Sequence, residues 1–157
     1  MRICAVRETS GMTDSRVYLD ANVFIYAVEG SPEVAEPLRR LFELFRNKRG
    51  VGVTSELTLA EILPRATTAQ RRIYLDLIIW SRTFELQPVS REVLIETADY
   101  RRVAQMPKLP DAIHVVTAIR AGCRTVLSAD SRLKLPEGFR ARLPDPLSVS
   151  RVVQELS

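Results

Sequence analysis

An α/β fold, with a parallel sheet covered by helices on both faces, is what this sequence predicts, and three observations predict it. Short β-type runs alternate with stretches of helical periodicity along the whole chain, the order that builds parallel sheets. No internal repeat or low-complexity tract interrupts the alternation. The 157 residues, 46% hydrophobic and 27% charged, have the composition of an ordinary globular domain and the length for one real core.

The elements follow in order. Residues 1–15 show little periodicity and read as a flexible lead, so one domain is expected over 16–157. Val17-Tyr18-Leu19 is an apolar strand that stops at Asp20. Asn22 to Tyr26 opens a helix, and Gly30-Ser31-Pro32 ends it. Ser31 and Pro32 suit the N-cap and first position of a second helix, where Val34, Leu38, Leu41, Phe42 and Phe45 recur at helical spacing up to Lys48. Pro37 falls inside that pattern and moves the expected start toward Glu36.

Val51-Gly52-Val53 is the second strand, after which Thr54 or Ser55 caps a helix from Glu56 to Leu63, interrupted by Pro64. Thr67-x-x-Gln70 has the form of a capping box. The helix it opens carries Ile73, Leu77 and Trp80 on one side, with Tyr74 and Ile78 beside them; Trp80 is expected in the core or at a dimer contact. Phe84-Glu85-Leu86 is the third strand, and Ser90 caps a helix through Val93, Leu94, Thr97, Ala98 and Arg101. Pro107 and Pro110 bracket a loop before a helix from Asp111 to Ala121, closed by Gly122. Thr125 to Ser128 is the fourth strand, Phe139 to Leu143 a fifth, and 147–156 a closing helix.

No apolar run approaches the ~18–20 residues of a membrane helix, and charge breaks the N-terminus too early for a secretory segment. A cytoplasmic protein is expected. Its two cysteines, Cys4 and Cys123, fit reduced thiols there and are too few for a cysteine-rich zinc site. The net charge is +4 with a pI near 9.4. If four of the 19 carboxylates are reserved for one site, 15 remain against 23 Lys and Arg. A positive surface around an acidic pocket suits a polyanionic substrate.

Ligands of open α/β sheets bind beyond the carboxyl ends of the strands. Asp20 follows the first strand and Asp130 the fourth, while Asp111 opens a helix where the dipole favours an anion. Glu61 lies within Leu57-Thr58-Leu59-Ala60-Glu61-Ile62-Leu63, where its neighbours are aliphatic and its burial would be costly without a partner. Taken singly, each fits a plain role: a strand-ending turn, a helix start, a turn before Ser131, an exposed helical Glu. Taken together, the topology brings all four to one edge of the sheet.

Converging carboxylates need a cation. Oxygen donors select Mg2+ or Mn2+ over zinc in a chain with one histidine. The ion would orient and deprotonate a water and stabilise charge at a scissile phosphate. Asn22 and Ser128, each two residues from an Asp, can hydrogen-bond a water or fix a carboxylate, or simply cap turns. His114, three residues after Asp111, reads as packing near the pocket rim or as a substrate contact.

These segments resemble a known family. Tyr18-Leu19-Asp20-Ala21-Asn22-Val23-Phe24-Ile25-Tyr26 is similar to the opening motif of PIN-domain nucleases. Leu57 to Ile62, Leu109 to Ala118 and Leu127-Ser128-Ala129-Asp130 resemble the second, third and fourth motifs, in matching order over about residues 16–145. The fourth has Ala129 where an Asn is common. In its compact size the chain is similar to VapC-type toxins. The resemblance implies a three-layer α/β/α sandwich with a central parallel sheet of four to five strands. It implies an endoribonuclease that uses Mg2+ or Mn2+ and leaves a 3′-hydroxyl and a 5′-phosphate. It also implies a homodimer, inhibited by a cognate antitoxin. Transferred here, Asp20, Glu61, Asp111 and Asp130 are the catalytic and metal-binding quartet, with Asp20 and Asp111 the most direct ligands.

Two other readings use the same features. A phosphotransfer site of haloacid-dehalogenase type wants a second Asp where Asn22 stands, and a receiver domain wants a Lys on a late strand, where Lys134 sits in a loop. A PIN-like scaffold that binds RNA or protein without cutting usually lacks one of the four acids. Arg39, Arg40, Arg65, Arg71, Arg72, Arg101 and Arg102 fit solvated helix faces or phosphate contacts, and Tyr26, Tyr74 and Trp80 are candidates to stack on bases.

Overall fold

The computed structural model of the protein describes residues 15–106 and 108–157. The expected flexible lead, apart from Ser15, lies outside the described residues, as do Cys4 and Pro107. Five parallel strands stand in the order β3-β2-β1-β4-β5. They are β1 Val17–Leu19, β2 Gly52–Ser55, β3 Glu85–Gln87, β4 Thr125–Leu127 and β5 Arg140–Arg142. The helices between them are α1 Ala21–Glu29, α2 Pro32–Asn47, α3 Leu57–Ile62, α4 Thr68–Leu75, α5 Arg91–Ala104, α6 Leu109–Arg120 and α7 Pro146–Leu156. This is the expected three-layer α/β/α sandwich. The strand order also differs from the 2-1-3-4-5 order of receiver domains.

The alternation of β1 divides the core. Val17 and Leu19 face α1, α2, α4 and α7 in one apolar cluster, whereas Tyr18 faces the opposite layer with Val53, Ala118 and Val126. In the larger cluster Phe84 meets Phe24 and Phe42 edge-on at 5.0 Å, a geometry that adds about 0.5–1.5 kcal/mol per pair beyond area burial. Gly52 in β2 is explained by the same cluster, since a Cβ there would stand 2.6 Å from the Phe45 ring. Arg16 ties the entrance of β1 to its surroundings. Its guanidinium donates to the carbonyls of Gly50 and Ala121 at 2.9 and 2.7 Å and pairs with Glu85 at 2.7 Å.

Several boundaries differ from the sequence reading. Helix α2 starts at Pro32 and runs through Pro37. The one bond that Pro37 forfeits, to the carbonyl of Glu33, lies in the second turn at an exposed position, while Ala35, Leu38, Leu41, Phe42 and Phe45 anchor the helix. Helix α6 starts at Leu109, with Pro110 inside its first turn instead of ending a loop. Its end is as expected. The Gly122 and Cys123 N–H groups donate to the carbonyls of Ile119 and Ala118, and Gly122 takes φ +72°.

The Thr67–Gln70 capping box forms, and Ser90 caps α5. Helix α4 continues as a π-helical turn, Asp76–Trp80. Tyr74 and Ile78 are its buried residues, while Trp80 is 70% exposed and Ile73 50% exposed, so Trp80 is not a core residue. No helix among the described residues is long and apolar enough to cross a membrane.

Candidate metal centre

β1 is the central strand, and its carboxyl end is where the chain reaches its deepest acid. The Asp20 N–H donates to the Leu127 carbonyl at the end of β4, 3.0 Å away, and its side chain turns back to cap α1. Oδ1 accepts from the Ala21 N–H at 2.7 Å and Oδ2 from the Ser128 hydroxyl at 2.7 Å, leaving Asp20 6% exposed. The Ser128 oxygen in turn accepts the Asp130 N–H at 3.1 Å. One hydroxyl therefore links two of the acids singled out in the sequence. The Asp130 carboxylate accepts from the Arg132 N–H at 2.9 Å.

Glu61 is brought over the site by α3, which leaves β2 immediately. Its N-cap is Glu56 rather than Thr54 or Ser55, with no side-chain cap bond, although the Ser55 hydroxyl accepts the Leu57 N–H at 3.1 Å. Thr54 instead donates to the Leu19 carbonyl at 2.8 Å and pairs with the Thr58 hydroxyl. The Glu61 carboxylate then meets His114 Nε2 at 2.6 Å. The other ring nitrogen, Nδ1, lies 2.6 Å from the Tyr18 hydroxyl, and Asp20 Oδ1 is 3.4 Å from Nε2. With acidic partners on one side, Nε2 carries a proton that it donates to Glu61, and in the neutral ring Nδ1 accepts from the Tyr18 phenol.

Burial is the largest effect on His114 and pulls its pKa down. The hydrogen bond to Glu61 and the charges of Asp20, Glu61 and Asp111 together outweigh it, so the net shift is upward from 6.5. Tyr18 is pushed well above 10.0, by burial first and then by Asp20, so its hydroxyl keeps its proton.

Asp111, in the first turn of α6, has its pKa raised above 3.8. Burial contributes most, then repulsion from Asp20 and Asp130, against the pull of Lys108 and His114. That repulsion is an electrostatic sign of crowded negative charge. Asp20, Glu61, Asp111, Asp130 and Asn22 all line one pocket of about 820 Å3 at the carboxyl edge of the sheet.

This donor set fits a hard divalent ion: several carboxylates around one space, with an anion disfavoured by its neighbours. Ligand atoms of Asp20, Glu61 and His114 lie within 4.8 Å of one another. Both nitrogens of His114 already have partners, which makes the ring an orienting group for Glu61 and leaves the oxygens as the donors.

Of the residues at and around the pocket, Arg65 is a candidate phosphate contact in the sequence, whereas Glu29, Lys108, Arg132 and the buried Tyr18 are given no site role there. Tyr18 is legible only as strand and as the start of the opening motif, because its role depends on His114, 96 residues away. Glu29 lines the pocket two helical turns beyond Asn22, and it accepts hydrogen bonds from Tyr74 and Gln70. The Asn22-Ile25-Glu29 spacing carried that signal, since all three line the pocket from one helix face. Arg65, Lys108 and Arg132 supply cations to the same walls.

No curated protein compared with the chain matches it. The family model of the PIN domain does match, over residues 17–137, a stretch that holds β1 through β4 and all four acidic residues. With that match across most of its length, the chain belongs to the PIN-domain family, whose members are generally metal-dependent nucleases.

Proposed function

We propose that this protein is an endoribonuclease that works with Mg2+, or Mn2+ in its place, and that it is the toxin of a toxin–antitoxin pair. The observation that carries the nuclease reading is that Asp20, Glu61, Asp111 and Asp130, from four separate segments, line one pocket at the switch point of a parallel sheet, with Asp20 and Glu61 offering oxygens within 4.8 Å of each other.

These four carboxylates would hold the ion, Asp20 and Asp111 most directly. When bound, a divalent ion supplies Lewis acidity at the phosphate and lowers the pKa of water toward neutrality. The residues of the chain do the rest. The Ala21 N–H and the Ser128 hydroxyl fix both oxygens of Asp20. His114 fixes Glu61. Arg65, Lys108 and Arg132 on the pocket walls suit the phosphates on either side of the scissile bond. No histidine base is required, and His114 has no free nitrogen to act as one.

The toxin role is supported by the compact size, which is similar to VapC-type toxins, on a chain that carries the PIN-domain motifs. Such a protein works in the cytoplasm, with RNA as substrate and a cognate antitoxin as inhibitor. A homodimer is supported by Trp80 and Ile73, which stand exposed together on α4 and its π-helical extension. The nuclease unit is residues 16–157.

The test is cleavage of single-stranded RNA by purified protein with Mg2+, Mn2+ or chelator. The expected result is metal-dependent cutting that leaves 5′-phosphates and is abolished in Asp20→Asn with the fold intact. RNA binding without cutting in either metal would favour the non-catalytic scaffold. Growth arrest on expression, relieved by a short gene immediately upstream, tests the toxin role separately.

A further inference from the structure

Helix α1 separates two concave surfaces. One face gives Asn22, Ile25 and Glu29 to the acidic pocket; the next gives Tyr26 and, at the helix end, Gly30 to a groove of about 440 Å3. Ala129, in the segment between β4 and Asp130, lines both. The far wall of the groove is Leu143, Pro144 and Pro146. The two sites therefore adjoin at Ala129, and their chemistry differs: one is carboxylate and cation, the other mainly aromatic and aliphatic, with Ser31 and Asp145 as its polar residues.

The acidic pocket also adjoins a small pocket to which Lys134 is added, with Lys108, Arg132, Asp111 and Asp130 common to both. The acidic centre thus has a cationic flank and an apolar flank. A polyanionic strand with flat, apolar bases has the complementary pattern.

We propose that the groove beside Tyr26 is a nucleobase subsite, which takes a base of the strand whose phosphate occupies the acidic pocket. It rests on the reading of that pocket as a phosphodiester site. Tyr26 is six residues beyond Asp20, about 9 Å along the helix axis, so its ring lies within reach of a base close to that phosphate. The ring is 38% exposed, a stacking platform next to an acidic site. The proline pair and Leu143, 45% exposed, form the opposite apolar wall.

Gly30 lines the groove beside Tyr26, and a Cβ there would fall 2.4 Å from the Tyr26 carbonyl oxygen, so the chain turns here only as glycine. Ser31 lines the groove as the N-cap of α2 but makes no side-chain cap hydrogen bond, so its hydroxyl is open to a base edge. The groove is also of the size of small-ligand sites.

The experiment uses RNA hexamers with one abasic ribose moved through each position. Each is assayed for cleavage with Mn2+ and, separately, for binding by fluorescence anisotropy to the Asp20→Asn protein. Stacking is worth about 1–3 kcal/mol per base, so one abasic position next to the cut should weaken binding and raise KM by about 5- to 150-fold, with kcat changed little. Tyr26→Ala and Leu143→Ala should each weaken intact RNA and reduce the abasic penalty; Tyr26→Phe, which keeps the ring, should retain it.

Cleavage with no sensitive position, or equal losses on intact and abasic RNA in Tyr26→Ala, overturns the subsite. So does a Tyr26→Ala change confined to oligomeric state, which would make the groove a protein contact. A Tyr26-dependent abasic penalty in binding, with no cleavage by the wild type, would sink the nuclease reading and leave the subsite standing.

Discussion

His114 stands between Tyr18 and Glu61, 2.6 Å from each, with its ring 2% exposed and the Glu61 side chain 29% exposed. A buried imidazole thus holds a carboxylate that itself reaches into the pocket. His114→Ala removes the donor to Glu61 and strands the Tyr18 hydroxyl. Metal affinity and cleavage should each fall about 10- to 100-fold. The stranded hydroxyl should cost about 1–3 kcal/mol of stability. Calorimetric titration with Mn2+ and urea unfolding measure the two effects separately, and unchanged Mn2+ affinity would show that Glu61 does not depend on the ring.

Asp111 has a raised pKa because burial and the charges of Asp20 and Asp130 disfavour its anion. A folded-state value above the unfolded one means that the metal-free fold holds this proton more tightly than the unfolded chain does. Its contribution therefore supports the fold below the unfolded value of 3.8 and is lost as pH rises through the raised value. Asp111→Asn should raise the Tm of the metal-free protein at neutral pH and remove most of the rise in Tm that Mn2+ gives. In the wild type that rise should shrink as the solution is acidified, because protons and the ion compete for the same oxygen. Thermal scans with and without Mn2+ over mildly acidic to neutral pH read all three.

Cys123 is buried behind β4, and burial lifts its thiol from 9.0 to about 12. In a Cys4→Ser background it should resist alkylation at neutral and mildly alkaline pH when native and react fully in urea. The folded value is again the higher one. Its stabilising contribution is complete below the unfolded value of 9.0 and fades as pH rises toward 12. Rapid alkylation of the native protein would contradict this burial.

Trp80, 70% exposed at the end of the π-helical turn, contributes little to the core of its own chain. Trp80→Ser should change unfolding stability of the monomer by no more than about 0.5 kcal/mol. If the face is a subunit contact, the same change should shift the species seen by light scattering from dimer to monomer. A wild-type protein that is monomeric at high concentration would rule out a homodimer through this face.

The parts of the fold that depend on local pattern were legible. The apolar run of Val17, Tyr18 and Leu19, the Thr67–Gln70 box and the Gly122 stop are all encoded within a few residues, and each forms as read. The face of α4 was not, because the widening of Asp76–Trp80 into a π turn is a tertiary outcome that helical spacing does not carry. Pro37 misled for a related reason: propensity argued for a later start, and the packing of Ala35 and Leu38 outweighed it.

Within the site, the carboxylates could be found because each sits at an element boundary or among aliphatic residues. The role of His114 could not. Spacing shows that it lies one turn from Asp111, but its actual partners are 96 and 53 residues distant.

Arg16 holds the entrance of β1 at the amino edge of the sheet, and at that same edge the Lys48 ammonium at the end of α2 donates to the Leu156 carbonyl at the close of α7. Both ends of the described fold therefore emerge on the side away from the acids. Anchoring the protein at Ser15 or Ser157 to a bead, a surface or a fused carrier should leave its working mouth facing outward.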